Sequence, residues 1–272
     1  MIKLVATDID GTVLGASGEY TSGVKNCITR LCEGGIKVVL ATGRMHSGAK
    51  RQALKLGLNT PVVSYQGGMI MDVNGNILYE SCVPESTAKN IIEWGRSNGV
   101  HLNLYADDVL YSEKDDYEIK RYSSTQQLDY VIRDFMTIPL NRVHKLLAID
   151  YKNPDKITKY VDEMQQKMPE LYIIKSTRYF CEFSTKNATK YCAVKFLQKY
   201  WNLNDDEILT IGDHDNDIEL LKAGGISIAM GNGTDTLKQY ADYITDSVEN
   251  DGFVKAIDKF VFNTKRSGGV NV

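Results

Sequence analysis

Asp8 and Asp10 stand one residue apart after a run of apolar and β-branched residues from Ile2 to Thr7, and Gly11 and Thr12 follow them. The run has the make-up of a short buried strand. Carboxylates cannot sit inside such a strand without partners, so both belong just past its C-terminal end. In an open α/β sheet that edge is where ligands bind. Two like charges so close repel, and a bound cation is the simplest way to keep both ionised. Asp-x-Asp-Gly is also ordinary turn chemistry. The stretch by itself leaves both readings open, and partners elsewhere in the chain must decide.

Two more strand-like runs end in polar clusters. Ile36 to Ala41 leads into Thr42-Gly43-Arg44, and Glu207 to Ile211 leads into Gly212-Asp213-His214-Asp215-Asn216-Asp217. In a parallel sheet all these ends share one edge, so residues far apart in sequence can meet there. Carboxylates at the outer two clusters make an all-oxygen environment that suits a hard cation such as Mg²⁺ over zinc. His214 is a lone imidazole among them, a poor start for a zinc site. Thr42 offers a hydroxyl, with backbone N–H groups at a helix start, to a phosphate. Lys190 precedes a helix face of Ala193, Phe196, Leu197 and Tyr200 and could face an anionic substrate. On spacing alone it reads as a solvated lysine.

The elements that must position these groups alternate strand, helix, strand from residue 1 to about 83, with a hairpin around Asn74-Gly75-Asn76. The third strand is expected over Pro61 to Tyr65, and Gln66-Gly67-Gly68 reads as a turn. From about Pro84 the pattern changes to an α+β block, with helix faces at Ala88, Ile91, Ile92 and Gly95 and at Ile157, Tyr160, Val161, Met164 and Met168. Glu113 to Leu140 has weak periodicity and is left unplaced. Near Ala188 the first pattern returns, with a helix expected from Ile218 to Ala223 and a frayed tail from Thr264. The fold class expected is α/β: a doubly wound, mostly parallel Rossmann-like core sheet over residues 1–83 and 185–272, with an inserted α+β cap domain over 84–184.

Composition sets the outer bounds. The 272 residues are 43% hydrophobic and 25% charged, which is globular, and the net charge of −3 argues against a broad grip on nucleic acid or an anionic membrane. Five cysteines without CxxC spacing read as reduced thiols of a cytoplasmic protein. The first strand begins too early for a signal peptide, and no apolar run approaches the roughly 20 residues of a membrane span. A monomer or small homo-oligomer is expected.

Taken in order, Asp8-Ile9-Asp10-Gly11-Thr12, Ala41-Thr42-Gly43-Arg44, Lys190 and Gly212-Asp213-x-x-Asn216-Asp217 resemble the four motifs of the haloacid dehalogenase-like (HAD) superfamily. Met230-Gly231-Asn232-Gly233, Ala241 to Thr245 and Asp251-Gly252 are similar to the C-terminal pattern of its Cof-type branch (subfamily IIB), mainly phosphatases of sugar phosphates and related small molecules. The resemblance covers about residues 1–82 and 182–260, and the insert resembles that branch's large cap. It implies a Mg²⁺-dependent phosphatase of a small phosphorylated metabolite. Asp8 would be the nucleophile, giving an aspartyl-phosphate, and Asp10 the general acid and base. Mg²⁺ would be held by Asp8, Asp10 through its backbone carbonyl, and Asp213, with Asp217 supporting the shell. Thr42, Gly43 and Lys190 would bind phosphate, and Asn216 would serve that site and order its loop. The cap would close over the site and select the leaving group. Asp10 favours phosphate chemistry over dehalogenation, which has no alkoxide to protonate. Two departures stand out: Gln66-Gly67 replaces the usual Asn-Gly, and Tyr191 follows Lys190 where glycine is common, leaving Lys186 as a lesser substitute. A phosphomutase and a non-catalytic metabolite-binding regulator are the alternatives, though the regulator's expected loss of Asp8, Asp10 or Asp213 is not seen.

Overall fold

A computed structural model describes residues 1–263. The described residues form two compact units, one of Met1–Arg44, Ala49–Leu78 and 189–263, the other of Met45–Gly48 and Tyr79–Ala188.

In the first unit, β1 (Leu4–Thr7) is buried along its whole length. Helix α1 (Ser22–Glu33) starts where the Thr21 hydroxyl accepts the Val24 N–H at 3.1 Å. It places Val24, Cys27, Ile28 and Leu31 on one buried face, which packs in the core with Val5, Val38 and Leu209. The chain then reverses at Gly34 and Gly35, the latter at φ +73°, into β2 (Lys37–Leu40). Helix α2 (His46–Lys55) follows. The third strand departs from the expectation. β3 (Val62–Ser64) pairs antiparallel with β4 (Met69–Met71), and with β5 (Ile77–Glu80) they make a separate three-stranded sheet. A single parallel bridge, Ala41 to Val63, joins β3 to the end of β2. The reason is local: the turn at 65–68 returns the chain at once, offering β3 an antiparallel partner.

The second unit runs α3 (Glu85–Asn98), β6 (His101–Ala106), β7 (Val109–Ser112), α4 (Tyr117–Gln126), β8 (Val131–Ile132), β9 (Val143–Ile149), α5 (Asp155–Lys167), β10 (Leu171–Thr177) and β11 (Phe180–Thr185). Its sheet has the order β10-β11-β9-β6-β7-β8, antiparallel except for β7 with β8. Ile91, Ile92 and Trp94 of α3 and Ile157, Val161 and Met164 of α5 share a core with Leu104, Leu146 and Phe183. The segment that sequence left unplaced contains α4 and β8. Within α4 the buried residues are Ile119 and Tyr122, too few to make a visible periodicity.

Back in the first unit come α6 (Lys190–Tyr200), β12 (Ile208–Gly212), α7 (Ile218–Leu221), β13 (Ile226–Ala229), α8 (Asp235–Lys238), β14 (Tyr243–Ile244) and α9 (Gly252–Ile257). The five-stranded sheet β14-β13-β12-β1-β2 is parallel throughout. Helix α7 is shorter than expected because the chain turns into Gly224 and Gly225; a Cβ on Gly225 would lie 2.4 Å from the Asp205 carbonyl oxygen. The expected frayed tail from Thr264 lies outside the described residues. From β1 the chain winds to one side for β2 and later to the other for β12, so the topological switch point lies between β1 and β12. This is a doubly wound α/β unit carrying an inserted α+β unit. No helix among the described residues is long and apolar enough to cross a membrane.

Candidate active site

The carboxyl ends of β1 and β12 bring the outer acidic clusters together. The Asp8 N–H donates to the Ile211 carbonyl at 3.0 Å, so Asp8 is the last residue held by the ladder. The chain then folds tightly, with the N–H groups of Val13 and Leu14 both donating to the Ile9 carbonyl. Gly11 is required there twice over. Its φ is +84°, and a Cβ on it would lie 2.2 Å from Asp213 Oδ2. Thr12 Oγ1 donates to Asp213 Oδ1 at 3.0 Å, which ties the first loop to the second.

Asp8, Asp213 and Asp217 are all buried, and one oxygen from each lies within 4.8 Å of the others. Lys190 is the first residue of α6, whose Thr189 hydroxyl caps the helix by accepting the Cys192 N–H. It is not a solvated lysine. Only 1% exposed, it donates from Nζ to Asp8 Oδ1 and to Asp217 Oδ1, each at 2.5 Å. Tyr191 is partly exposed and leaves Lys190 undisturbed, while Lys186 is exposed. The second oxygen of Asp217 accepts the N–H groups of Asp213 and His214 at 3.0 and 3.1 Å. Asp217 is therefore saturated by the lysine and its own loop.

Three buried carboxylates face one buried ammonium, and the imbalance shows at Asp8 and Asp213. Burial pushes Asp8 well above the ordinary carboxylate range, against the pull of Lys190 and with Asp217, Asp213 and Asp10 adding to the rise. Burial, then Asp217, raises Asp213 to about 6, although the Thr12 hydrogen bond opposes this. Burial works against the charge on Lys190, yet Asp217 and Asp8 hold its pKa above the ordinary lysine value. An all-oxygen cluster with excess negative charge fits a hard dication.

On the other flank, Asp10 is half exposed and is gripped by Arg44, whose Nε donates to Asp10 Oδ2 at 2.8 Å and Nη2 to Oδ1 at 2.5 Å. Thr42 is buried, and its hydroxyl accepts the Arg44 N–H at 3.2 Å. Helix α2 begins only at His46, so Thr42 and Gly43 sit in a turn before it and not at its first turn. Asn216 directs its amide N–H₂ to Gln66 Oε1 at 3.2 Å.

Four residues join this site that motif spacing did not assign. Arg44 was legible only as part of Thr-Gly-Arg. Thr12 holds Asp213. Asn232 donates to the Gly11 carbonyl at 2.9 Å and accepts the Val248 N–H, which explains the Met230-Gly231-Asn232-Gly233 pattern. Gln66 lies in a turn where Tyr65 and Gln66 have φ of 52° and 60°. Left-handed backbone at non-glycine residues costs on the order of 1 kcal/mol each, and it persists where surrounding structure enforces it. No sequence signal marks that strain. Glu80, Cys82 and His144 in the second unit also lie close enough to hold a metal. There Glu80 Oε1 already accepts from Arg142 Nη2 at 2.6 Å and pairs with His144 Nε2 at 2.9 Å, so the group is an internally balanced ion-pair network.

A carboxylate cluster and a buried lysine at the switch point of a doubly wound sheet stand where α/β proteins of this class bind their ligands. The chain matches the haloacid dehalogenase-like hydrolases over residues 5–257. It belongs to that family, and it is an enzyme of the family's phosphatase type. Phosphatase YwpJ of Bacillus subtilis is 26% identical over 271 residues, covering 90% of this chain and 94% of that protein. The 5-amino-6-(5-phospho-D-ribitylamino)uracil phosphatase YitU of the same organism is 24% identical, covering 94% and 97%. A crystal structure of a haloacid dehalogenase-like hydrolase from Bacteroides thetaiotaomicron matches with a TM-score of 0.86 at 26% identity, covering 95% of this chain and 99% of that one.

Proposed function

We propose that the protein is a Mg²⁺-dependent phosphatase of a small phosphorylated metabolite, such as a sugar phosphate, working through an aspartyl-phosphate. The observation that carries the reading is the meeting of Asp8, Asp213, Asp217 and Lys190 in one buried cluster at the carboxyl edge of the sheet. The Asp8 and Asp213 carboxylates, with the Asp10 main-chain carbonyl, would hold the ion. When bound, Mg²⁺ offsets negative charge on the phosphoryl oxygens. Asp217, with both oxygens engaged, supports that arrangement from behind.

In the first half-reaction a carboxylate oxygen of Asp8 attacks phosphorus as the bond to the leaving oxygen breaks, and Asp10 gives that oxygen its proton. In the second, Asp10 takes a proton from water as the water oxygen attacks phosphorus, releasing orthophosphate and restoring Asp8. Arg44 aims Asp10 by donating from Nε and Nη2 to its two carboxylate oxygens. Lys190 keeps a positive charge beside Asp8, where the transferring oxygens gather, and the Thr42-Gly43 turn binds them from the other side. Asn216 acts through its loop, because its amide is engaged by Gln66. A cytoplasmic location is supported by five free thiols. A monomer or small homo-oligomer with no nucleic-acid or membrane partner completes the reading.

The test is phosphate release from p-nitrophenyl phosphate, with and without Mg²⁺, for the wild type and Asp8→Asn, followed by a panel of phosphorylated metabolites. Metal-dependent release that Asp8→Asn abolishes supports the reading. No release from any substrate by the wild type sinks it.

A further inference from the structure

The strained turn at residues 65–67 touches the segments that follow β2 and β12 and the start of α6. The Tyr65 N–H donates to the Arg44 carbonyl at 2.9 Å and the Gln66 N–H to the Thr42 carbonyl at 3.0 Å. Gly67, at φ +111°, packs so close to the start of α6 that a Cβ on it would lie 2.1 Å from the Thr189 carbonyl oxygen, next to Lys190. Gln66 is 5% exposed, and its side chain reaches in two directions. Oε1 accepts the Asn216 amide, 150 positions away in sequence, while Nε2 lies against Gly43, where a Cβ would come within 2.4 Å of it. A left-handed backbone is unfavourable for glutamine, and strain at such a place points toward function.

We infer that Gln66 is a positioning residue that sets the two sides of the site against each other. Through Oε1 it holds the Asp213–Asp217 loop, the side that would carry the metal ion. Through Nε2 it braces the Thr42-Gly43 turn, the side that would carry the phosphoryl group. The inference rests on the phosphatase reading above. Glutamine suits the task because one carboxamide offers an acceptor to Asn216 and a donor edge to the turn, on a stem long enough to lie between them. The two edges can be separated experimentally. Gln66→Glu keeps an acceptor for Asn216 but places an oxygen, not N–H₂, beside Gly43. Gln66→Met removes both edges at similar volume.

Calorimetric titration of Mg²⁺ into the metal-free protein reads the first edge, and KM with orthophosphate inhibition reads the second. Gln66→Met should weaken Mg²⁺ binding and lower kcat/KM, each by about tenfold or more, with the melting temperature of the metal-free protein little changed. Gln66→Glu should recover Mg²⁺ affinity to within about twofold of wild type while keeping a raised KM and weak orthophosphate inhibition, since an anionic oxygen now faces the phosphoryl side. Gln66→Asn, which favours the left-handed backbone but is shorter, should fold at least as stably and behave kinetically like Gln66→Met. Wild-type kinetics in Gln66→Met, or equal loss of Mg²⁺ affinity in Gln66→Met and Gln66→Glu, overturns the inference. A wild type that neither binds Mg²⁺ nor releases phosphate overturns the underlying reading instead.

Discussion

Asp213 links the pH dependence of stability to metal binding, and the size of the link can be worked from its surroundings. Its carboxyl is raised from 3.8 to about 6, mainly by burial and the neighbouring Asp217. A raised folded-state value means that the folded protein holds this proton more tightly than the unfolded chain does. The resulting stabilisation is fully present below pH about 4 and is lost as pH rises through about 6. Each pKa unit corresponds to about 1.4 kcal/mol, so the full change is about 3 kcal/mol. Asp213→Asn keeps the shape and an acceptor for the Thr12 hydroxyl but cannot titrate. In EDTA, the stability of the wild type relative to Asp213→Asn should therefore fall by up to about 3 kcal/mol between pH 4 and pH 7. Taking the difference between the two proteins cancels carboxylates common to both. Mg²⁺ should then reverse the loss in the wild type, by about 2.7 kcal/mol at a hundredfold excess over its Kd, and should act far less on the variant. Urea unfolding at several pH values, with EDTA or Mg²⁺, measures both effects. A wild-type-minus-variant difference that stays constant across this pH range, or equal Mg²⁺ stabilisation of the two proteins, would refute the reasoning.

Three other perturbations separate the roles of neighbouring residues. Lys190→Met leaves Asp8 and Asp217 buried without their common cation. It should cost about 3–5 kcal/mol in metal-free unfolding experiments and at least a hundredfold in kcat, with Mg²⁺ narrowing the stability gap. Arg44→Met removes the two-pronged hold on Asp10. Turnover of an alkyl phosphate should drop about tenfold or more and that of p-nitrophenyl phosphate much less, because a good leaving group needs little protonation; equal losses on both substrates would place Arg44 outside the proton-transfer step. Thr21→Ala deletes the cap of α1, remote from the acidic cluster, and should lower stability by about 1 kcal/mol while kcat and KM stay at wild-type values.

What could be read from the sequence is what is local. A buried strand is a short apolar run, and a carboxylate following it must lie beyond its end, so Asp8, Asp10 and Asp213 were legible as edge residues before any contact was known. A cap at Thr21 or Ser22 and the face of Val24, Cys27, Ile28 and Leu31 are legible for the same reason, since the pattern that marks them spans two or three helical turns, and the structure places the cap at Thr21. Where the local signal was weak, as in α4, the element itself went unplaced. The tertiary structure decided which groups meet. Lys190 at a helix start looks solvated until α6 docks beside β1 and β12 and closes it between Asp8 and Asp217, 182 and 27 positions away. Arg44 finds Asp10, and Gln66 finds Asn216, only when separate strand ends are brought to one edge. Nor does residue type announce that Tyr65 and Gln66 adopt a left-handed backbone, because long-range hydrogen bonds and packing impose that conformation against local preference. Sequence determined which chemical groups this protein has and which end of each strand carries them. Burial and long-range pairing, which exist only once the chain is folded, decided how those groups are charged, held and aimed.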